Sequence, residues 1–180
     1  MIRALAVVFV LAATAHSASA GVYGSIGIGS TDVSDDKGSF TQNSRTLRFA
    51  AGYRLSNLFS AEGGVMGYRV ANGPVGLDGR EFYAAGLLHC SLGNNFEIFG
   101  RLGVQRTGVA PNTNDGSFTG TGYLAGVGVD YEIKLPTVPQ IARAALWIDY
   151  NRSGTTLQRD ASLSHDYAVG MWSLGVTLGF

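Results

Sequence analysis

The segment His165-Asp-Tyr-Ala-Val-Gly-Met-Trp-Ser-Leu-Gly-Val-Thr-Leu-Gly-Phe180 decides the fold. From Ala168 onward, every second residue suits an apolar medium: Ala168, Gly170, Trp172, Leu174, Val176, Leu178 and Phe180. The residues between them, Val169, Met171, Ser173, Gly175, Thr177 and Gly179, are smaller or more polar. A period of two is the signature of a strand. The segment stops on an aromatic. The strand that closes a barrel in lipid has a use for that side chain, and an edge strand of a soluble domain has little.

The other end of the chain points the same way. Met1 to Ala20 carries one basic residue, Arg3, and an apolar run from Ala4 to Ala13. It finishes in Ala18-Ser19-Ala20, the small-x-small pattern of a secretory signal peptide, with cleavage expected after Ala20. The run is too short to span a bilayer as a helix. The expected division is therefore a removed leader at 1–20 and one domain at 21–180. Cys90 is the single cysteine, so no disulfide can form within the chain. Basic and acidic residues balance at 13 each, which argues against a nucleic-acid partner. No apolar run after the leader is long enough for a membrane helix, so a closed barrel is the remaining way to cross a membrane. The 26 glycines and the low charge fit such a barrel, and fit a soluble one equally.

Alternation predicts eight strands, at 21–31, 45–55, 58–70, 80–92, 96–106, 118–133, 141–151 and 168–180. Each is long enough to supply the roughly 9 to 11 residues that a tilted transmembrane strand needs. Short turns at 56–57, 93–95 and 134–140 alternate with longer polar loops at 32–44, 71–79, 107–117 and 152–167. Short turns on one side and long loops on the other are the pattern of an outer-membrane barrel, with both termini on the short-turn side.

Two features separate a membrane barrel from a soluble one. Aromatics fall on the apolar face at both strand ends. Tyr53, Phe59, Phe96, Tyr131 and Phe180 lie by the short turns, and Phe82, Tyr123, Tyr150 and Trp172 lie nearer the loops. Two aromatic belts around an apolar band suit the two headgroup levels of a bilayer. Glycines then populate the polar face, at Gly52, Gly64, Gly103, Gly128 and Gly175, where they make room in a narrow lumen.

The chain resembles the eight-stranded transmembrane domain of the OmpA/OmpX-like outer-membrane family. The matching stretches are Phe99-Gly-Arg-Leu-Gly-Val104, Leu124-Ala-Gly-Val-Gly-Val-Asp-Tyr131, Trp147-Ile-Asp-Tyr150 and Trp172-Ser-Leu-Gly-Val-Thr-Leu-Gly-Phe180. The resemblance implies an all-β, eight-stranded antiparallel up-and-down transmembrane β-barrel in the bacterial outer membrane. It implies lipid and lipopolysaccharide as surroundings. It implies an assembly signal on Trp172, Leu174, Val176, Leu178 and Phe180, read by the barrel-assembly machinery. No periplasmic domain is expected after the barrel, so peptidoglycan binding is not implied.

The inward face collects Arg48, Arg54, Arg101 and Arg143 against Glu62, Glu81, Glu97, Asp130 and Asp149. An eight-stranded barrel is just wide enough for side chains to fill, so these charges must pair. By the resemblance, Arg101, Asp130, Asp149 and Glu62 match positions of a lumen network. The expected network comprises Arg48, Glu62, Glu97, Arg101, Asp130, Arg143 and Asp149. It either holds the barrel shut or, by exchanging partners, gates a narrow ion path.

His89-Cys90-Ser91 invites comparison with barrel enzymes that act on outer-membrane lipid. The triplet sits at the periplasmic end, with His89 and Ser91 facing the lumen by parity, which is the wrong rim and the wrong face for lipid chemistry. No catalytic residue, cofactor or metal site is expected. The acidic stretch Asp32-Val-Ser-Asp-Asp-Lys37 reads as a hydrated surface loop. The expected role is structural or adhesion-type, through loops that meet a surface ligand. A gated ion channel is the alternative, and a lipid-directed enzyme the remote one.

Overall fold

The computed structural model describes residues 21–35, 38–72, 75–111, 118–133, 143–160 and 163–180. The leader, with Ala18 and Ala20, and the turn at 134–140 lie outside them. Eight strands follow in chain order: β1 Gly21–Asp35, β2 Gly38–Arg54, β3 Phe59–Asn72, β4 Val75–Gly93, β5 Phe96–Pro111, β6 Phe118–Ile133, β7 Arg143–Asp160 and β8 Leu163–Gly179. Each pairs antiparallel with its sequence neighbour, and β8 pairs with β1 to close the barrel. Closure removes every sheet edge, so all backbone groups in the wall can pair without water.

The short turns are built by local chemistry. At 93–95 the backbone is left-handed three times running, with φ of 80° at Gly93, 52° at Asn94 and 69° at Asn95. Gly and Asn are the residues that tolerate this region. At 55–59 the Ser56 hydroxyl accepts hydrogen bonds from the Leu58 and Phe59 N–H groups, and the Leu55 N–H reaches back to the Phe59 carbonyl.

The lower two-thirds of the wall has its apolar face outward. Leu47, Phe49, Leu102, Val104, Val127, Ile148 and Leu174 are exposed on it, and both expected aromatic belts stand on the same face. The glycines of the inner face serve the rings that fill the lumen. A Cβ at Gly52 would lie 2.3 Å from the Tyr23 ring, one at Gly64 2.6 Å from Tyr83 and one at Gly128 2.3 Å from Phe99.

The strands differ from expectation at their upper ends. The segments expected as loops at 32–44, 71–79, 107–117 and 152–167 are largely strand wherever they are described. Their residues looked like loop because the apolar parity inverts there. Val33, Tyr68, Val109, Leu157, Tyr167 and Val169 turn inward and form one buried cluster, with Phe118 packed against it. Asp32, Arg69, Arg106, Arg152 and Asp166 turn outward on the same strands. Below the upper belt the surroundings are lipid, and above it they are water. The hydrophobic side of the wall changes accordingly, with no change in the sense of strand pairing.

Candidate functional site

Two layers of charge occupy the lumen below the apolar plug. The central layer joins β2, β3, β5 and β7. Arg48 lies 2.7 Å from Glu62 and 2.6 Å from Asp149. Arg101 lies 2.7 Å from Asp149, 2.7 Å from the Asn151 side-chain oxygen and 3.4 Å from Glu62. The two cations and two anions thus share partners. Tyr83 donates to Glu62 at 2.7 Å and accepts from the Arg48 Nε at 2.9 Å. Tyr23 donates to Glu62 at 3.2 Å. The guanidinium of Arg48 stands 5.0 Å from the centre of the Trp147 ring and 5.5 Å from that of Tyr83. Arg101 stands 5.2 Å from the ring centre of Phe99. Arg48 is 2% exposed and Asp149 1%, so water does little of the screening.

The lower layer centres on Glu97. Arg54 meets it at 2.7 Å, Arg143 at 3.2 Å and the His89 Nδ1 at 2.7 Å. Asp130 is linked to the layer by Arg143 at 3.6 Å. A vestibule of about 200 Å³ lies below the central layer, lined by Tyr23, Ser60, His89, Arg143 and Phe180 among others. Because this layer borders that cavity, Glu97→Gln is expected to destabilise the barrel by only about 1 kcal/mol in urea titration of the reconstituted protein.

The predicted network residues therefore fall into two groups. Arg48, Glu62, Arg101 and Asp149 form the central layer; Glu97, Asp130 and Arg143 form the lower one. Glu81 belongs to neither and takes a hydrogen bond from Tyr68 at 3.3 Å inside the plug. Tyr23, Tyr83 and Asn151 are network members that a search for charges passes over. Their inward parity and the opposing glycines were the available signal. Trp172, Leu174, Val176 and Phe180 are exposed in one outward row, with Leu178 half-buried.

The lower layer gives the His89 triplet its surroundings. His89 is buried; Ser91, the register partner of Glu97, keeps the inward parity but is exposed at the rim, where its hydroxyl accepts from the Gly93 N–H, and Cys90 is exposed on the opposite face. The partner of His89 comes from β3: the Ser60 hydroxyl lies 2.7 Å from its Nε2. Ser60, His89 and Glu97 thus line up as hydroxyl, imidazole and carboxylate, an order that can activate a nucleophile. The strand backbone flanking Ser60 pairs with β2 at Arg54 and with β4 at Leu87, so it lacks the free N–H donors that acyl transfer uses. Pairing of β4 with β5 and of β5 with β6 also brings ligand atoms of His89, Glu97 and Asp130 within 4.8 Å of one another, a grouping invisible in sequence spacing. Arg54 and Arg143 already neutralise Glu97, and they would repel a metal cation there.

Comparisons place this geometry among known barrels. The Neisserial surface protein A, NspA, superposes with a TM-score of 0.68 at 18% identity, over 88% of this chain and 97% of that one. Ail, the attachment invasion locus protein of Yersinia pestis, superposes with a TM-score of 0.58 at 18% identity, over 90% and 99%. The N-terminal β-barrel domain of Pseudomonas aeruginosa OprF follows at 0.50 and 15% identity, over 87% and 97%. No curated protein matches at the level of sequence. The sequence profile of the outer membrane protein beta-barrel domain matches residues 2–180. The chain belongs to this family, and it is a β-barrel of the bacterial outer membrane.

Proposed function

We propose that this protein is a surface-interaction protein of adhesion type, whose contacts are made above the upper aromatic belt. The observation that carries this reading is the inversion of the apolar face. Above the belt the wall continues as a water-facing stalk with its own core, and β8 from 163 to 171 adds about 30 Å of strand at about 3.3 Å per residue. A rigid scaffold that lifts its connections clear of the membrane is suited to presenting them to a partner. Ail, a barrel of the same fold, has been crystallised with the heparin analogue sucrose octasulfate. A sulfated polysaccharide is therefore a rational first probe.

The channel reading has the vestibule in its favour. A conducting path would also have to pass the central layer and the plug. The void between them, lined by Met66, Tyr68, Glu81 and Leu124, is about 10 Å³, near the least that holds one water. The Ser60-His89-Glu97 alignment gives the enzyme reading a concrete form, tested by whether any ester hydrolysis disappears in Ser60→Ala.

The deciding experiment pairs planar-bilayer conductance with binding of reconstituted vesicles to immobilised sulfated polysaccharide. The wild type is expected to be silent and to bind, with binding lost when residues 112–117 are replaced by a Gly-Ser turn in a barrel that still folds. Discrete openings, altered in Arg101→Ala, would overturn this reading in favour of a gated channel.

A further inference from the structure

The vestibule below the central layer has a closed inner end. Arg48, Glu62 and Arg101 form its roof, and Val22 and Phe180 stand at its mouth on the short-turn side. Leu87, Phe99 and Trp147 give it apolar walls, and all three are buried. At about 200 Å³ it is far larger than one water needs. It is smaller than the pockets of about 300–1,000 Å³ that hold drug-sized ligands, so its occupant must be small. Apolar walls with a few convergent polar groups are the form of a ligand site.

Those polar groups are the ones that the lumen network leaves short of partners. Asp130 is 9% exposed and lines the vestibule. Among the described residues no hydrogen bond reaches its carboxylate, and its ion pair with Arg143 spans 3.6 Å. The other lumen carboxylates are held closely: Arg48 meets Glu62 at 2.7 Å and Asp149 at 2.6 Å, and Arg54 meets Glu97 at 2.7 Å. Arg143 donates to Glu97 at 3.2 Å, while its Nε, 3.6 Å from Glu132, makes no hydrogen bond. The Trp147 Nε1 and the Ser25 hydroxyl, both on residues of the vestibule wall, are also buried without a partner among the described residues. Buried polar groups left unpaired are costly, so a ligand that pairs them gains by binding.

The charges at the site exclude simple ions. A bare cation drawn to Asp130 would meet Arg143, and a bare anion drawn to Arg143 would meet Asp130. A ligand that carries both charges answers both groups. We infer that the vestibule binds one small zwitterion with a short apolar body, an α-amino acid of about the size of leucine, with its ammonium on Asp130, its carboxylate on Arg143 and its side chain against Leu87, Phe99 and Trp147. Such a molecule carries its two charges on one carbon, close enough to insert into a pair 3.6 Å apart. The pair it replaces holds no hydrogen bond of its own, and two charge-assisted ones form in its place. The apolar side chain leaves water for the vestibule walls. Because the roof is closed, the ligand enters and leaves by the short-turn end. The inference stands apart from the adhesion reading, which concerns the opposite end of the barrel.

The test is equilibrium dialysis of radiolabelled leucine against the full barrel in neutral detergent. N-acetyl-leucine, leucinamide and the dipeptide leucyl-leucine serve as competitors. Asp130→Asn and Arg143→Gln are the variants, each shown folded by heat-dependent gel mobility. One leucine per barrel is expected, with affinity at least tenfold lower in either variant. The two derivatives each lack one charge, and the dipeptide moves the charges apart. All three should compete at least tenfold more weakly than unlabelled leucine, a comparison made on the wild type and therefore independent of whether a variant folds. Absence of saturable leucine binding by the folded wild type overturns the inference. So does competition by any of the three as strong as that of leucine, or wild-type affinity in a folded variant of either kind.

Discussion

Asp149→Ala is expected to destabilise the folded barrel by about 3–5 kcal/mol, read as a shift in urea unfolding of the protein in lipid vesicles. Asp149 accepts from Arg48 at 2.6 Å and from Arg101 at 2.7 Å, and it is almost fully buried. Removing it leaves two guanidinium groups facing one carboxylate, Glu62, with the aromatic rings and Asn151 as the other neighbours. The cost is that of a buried charge stripped of its partner. It exceeds the net worth of the pair, because forming a buried pair already carries a large desolvation penalty.

That distinction makes the prediction sharp. Arg101→Met/Asp149→Ala restores the charge balance, since it leaves Arg48 with Glu62 at 2.7 Å. The double variant is therefore expected to be more stable than Asp149→Ala, and the two single effects should fail to add by more than about 1 kcal/mol. Additive losses would mean that each side chain acts alone and that no shared layer exists. Glu97 provides the contrast. It too meets several cations, but beside an open vestibule, and its smaller expected loss ties the size of the effect to burial rather than to the number of partners.

The barrel was legible because its signals are periodic and local. Alternation assigned every strand of the membrane band, and β6 at Phe118–Ile133 agrees residue for residue. The aromatic rows at the two ends fixed which face meets lipid. The upper third was not legible by the same rule, because a parity that inverts at the membrane surface reads as loss of pattern. Val33 beside Asp32, and Leu157 beside Thr156, are perfectly alternating, but for water outside instead of lipid. The site was legible as a set of inward charges and illegible as a set of pairs. Arg48 and Asp149 are 101 residues apart, and only closure of the barrel brings them together. Ser60 and His89 meet across the β3–β4 pair, where Ser60 stands opposite Leu87, a match that parity alone could not make.

Gly27→Val is expected to reduce the yield of closed barrel sharply and to cost the remaining folded protein about 1–3 kcal/mol or more through overpacking. Gly27 lies on β1, where β8 completes the barrel, and its register partner across that seam is Gly175. Trp147, on β7, reaches beneath both. A Cβ at Gly27 would lie 2.3 Å from its ring, and one at Gly175 2.4 Å. The indole therefore needs a bare backbone on two strands at once, and it in turn stacks against Arg48 at 5.0 Å. A side chain at Gly27 must expel the ring, which disturbs the seam and the central charge layer together. The remedy follows from the contacts. The two nearest neighbours of the added Cβ are Trp147 atoms, with the Leu174 carbonyl next at 3.0 Å. Gly27→Ala/Trp147→Ala should recover folding that Gly27→Ala alone loses. At Gly175 the added Cβ would also strike the Ile26 carbonyl at 2.2 Å, so the same truncation should not rescue Gly175→Ala. Folded fraction by gel mobility, across the two single and two double variants, separates a ring displaced at the seam from a glycine needed only for backbone freedom. Rescue at Gly27 and none at Gly175 is the outcome the packing requires; equal behaviour at both positions would put the cause elsewhere.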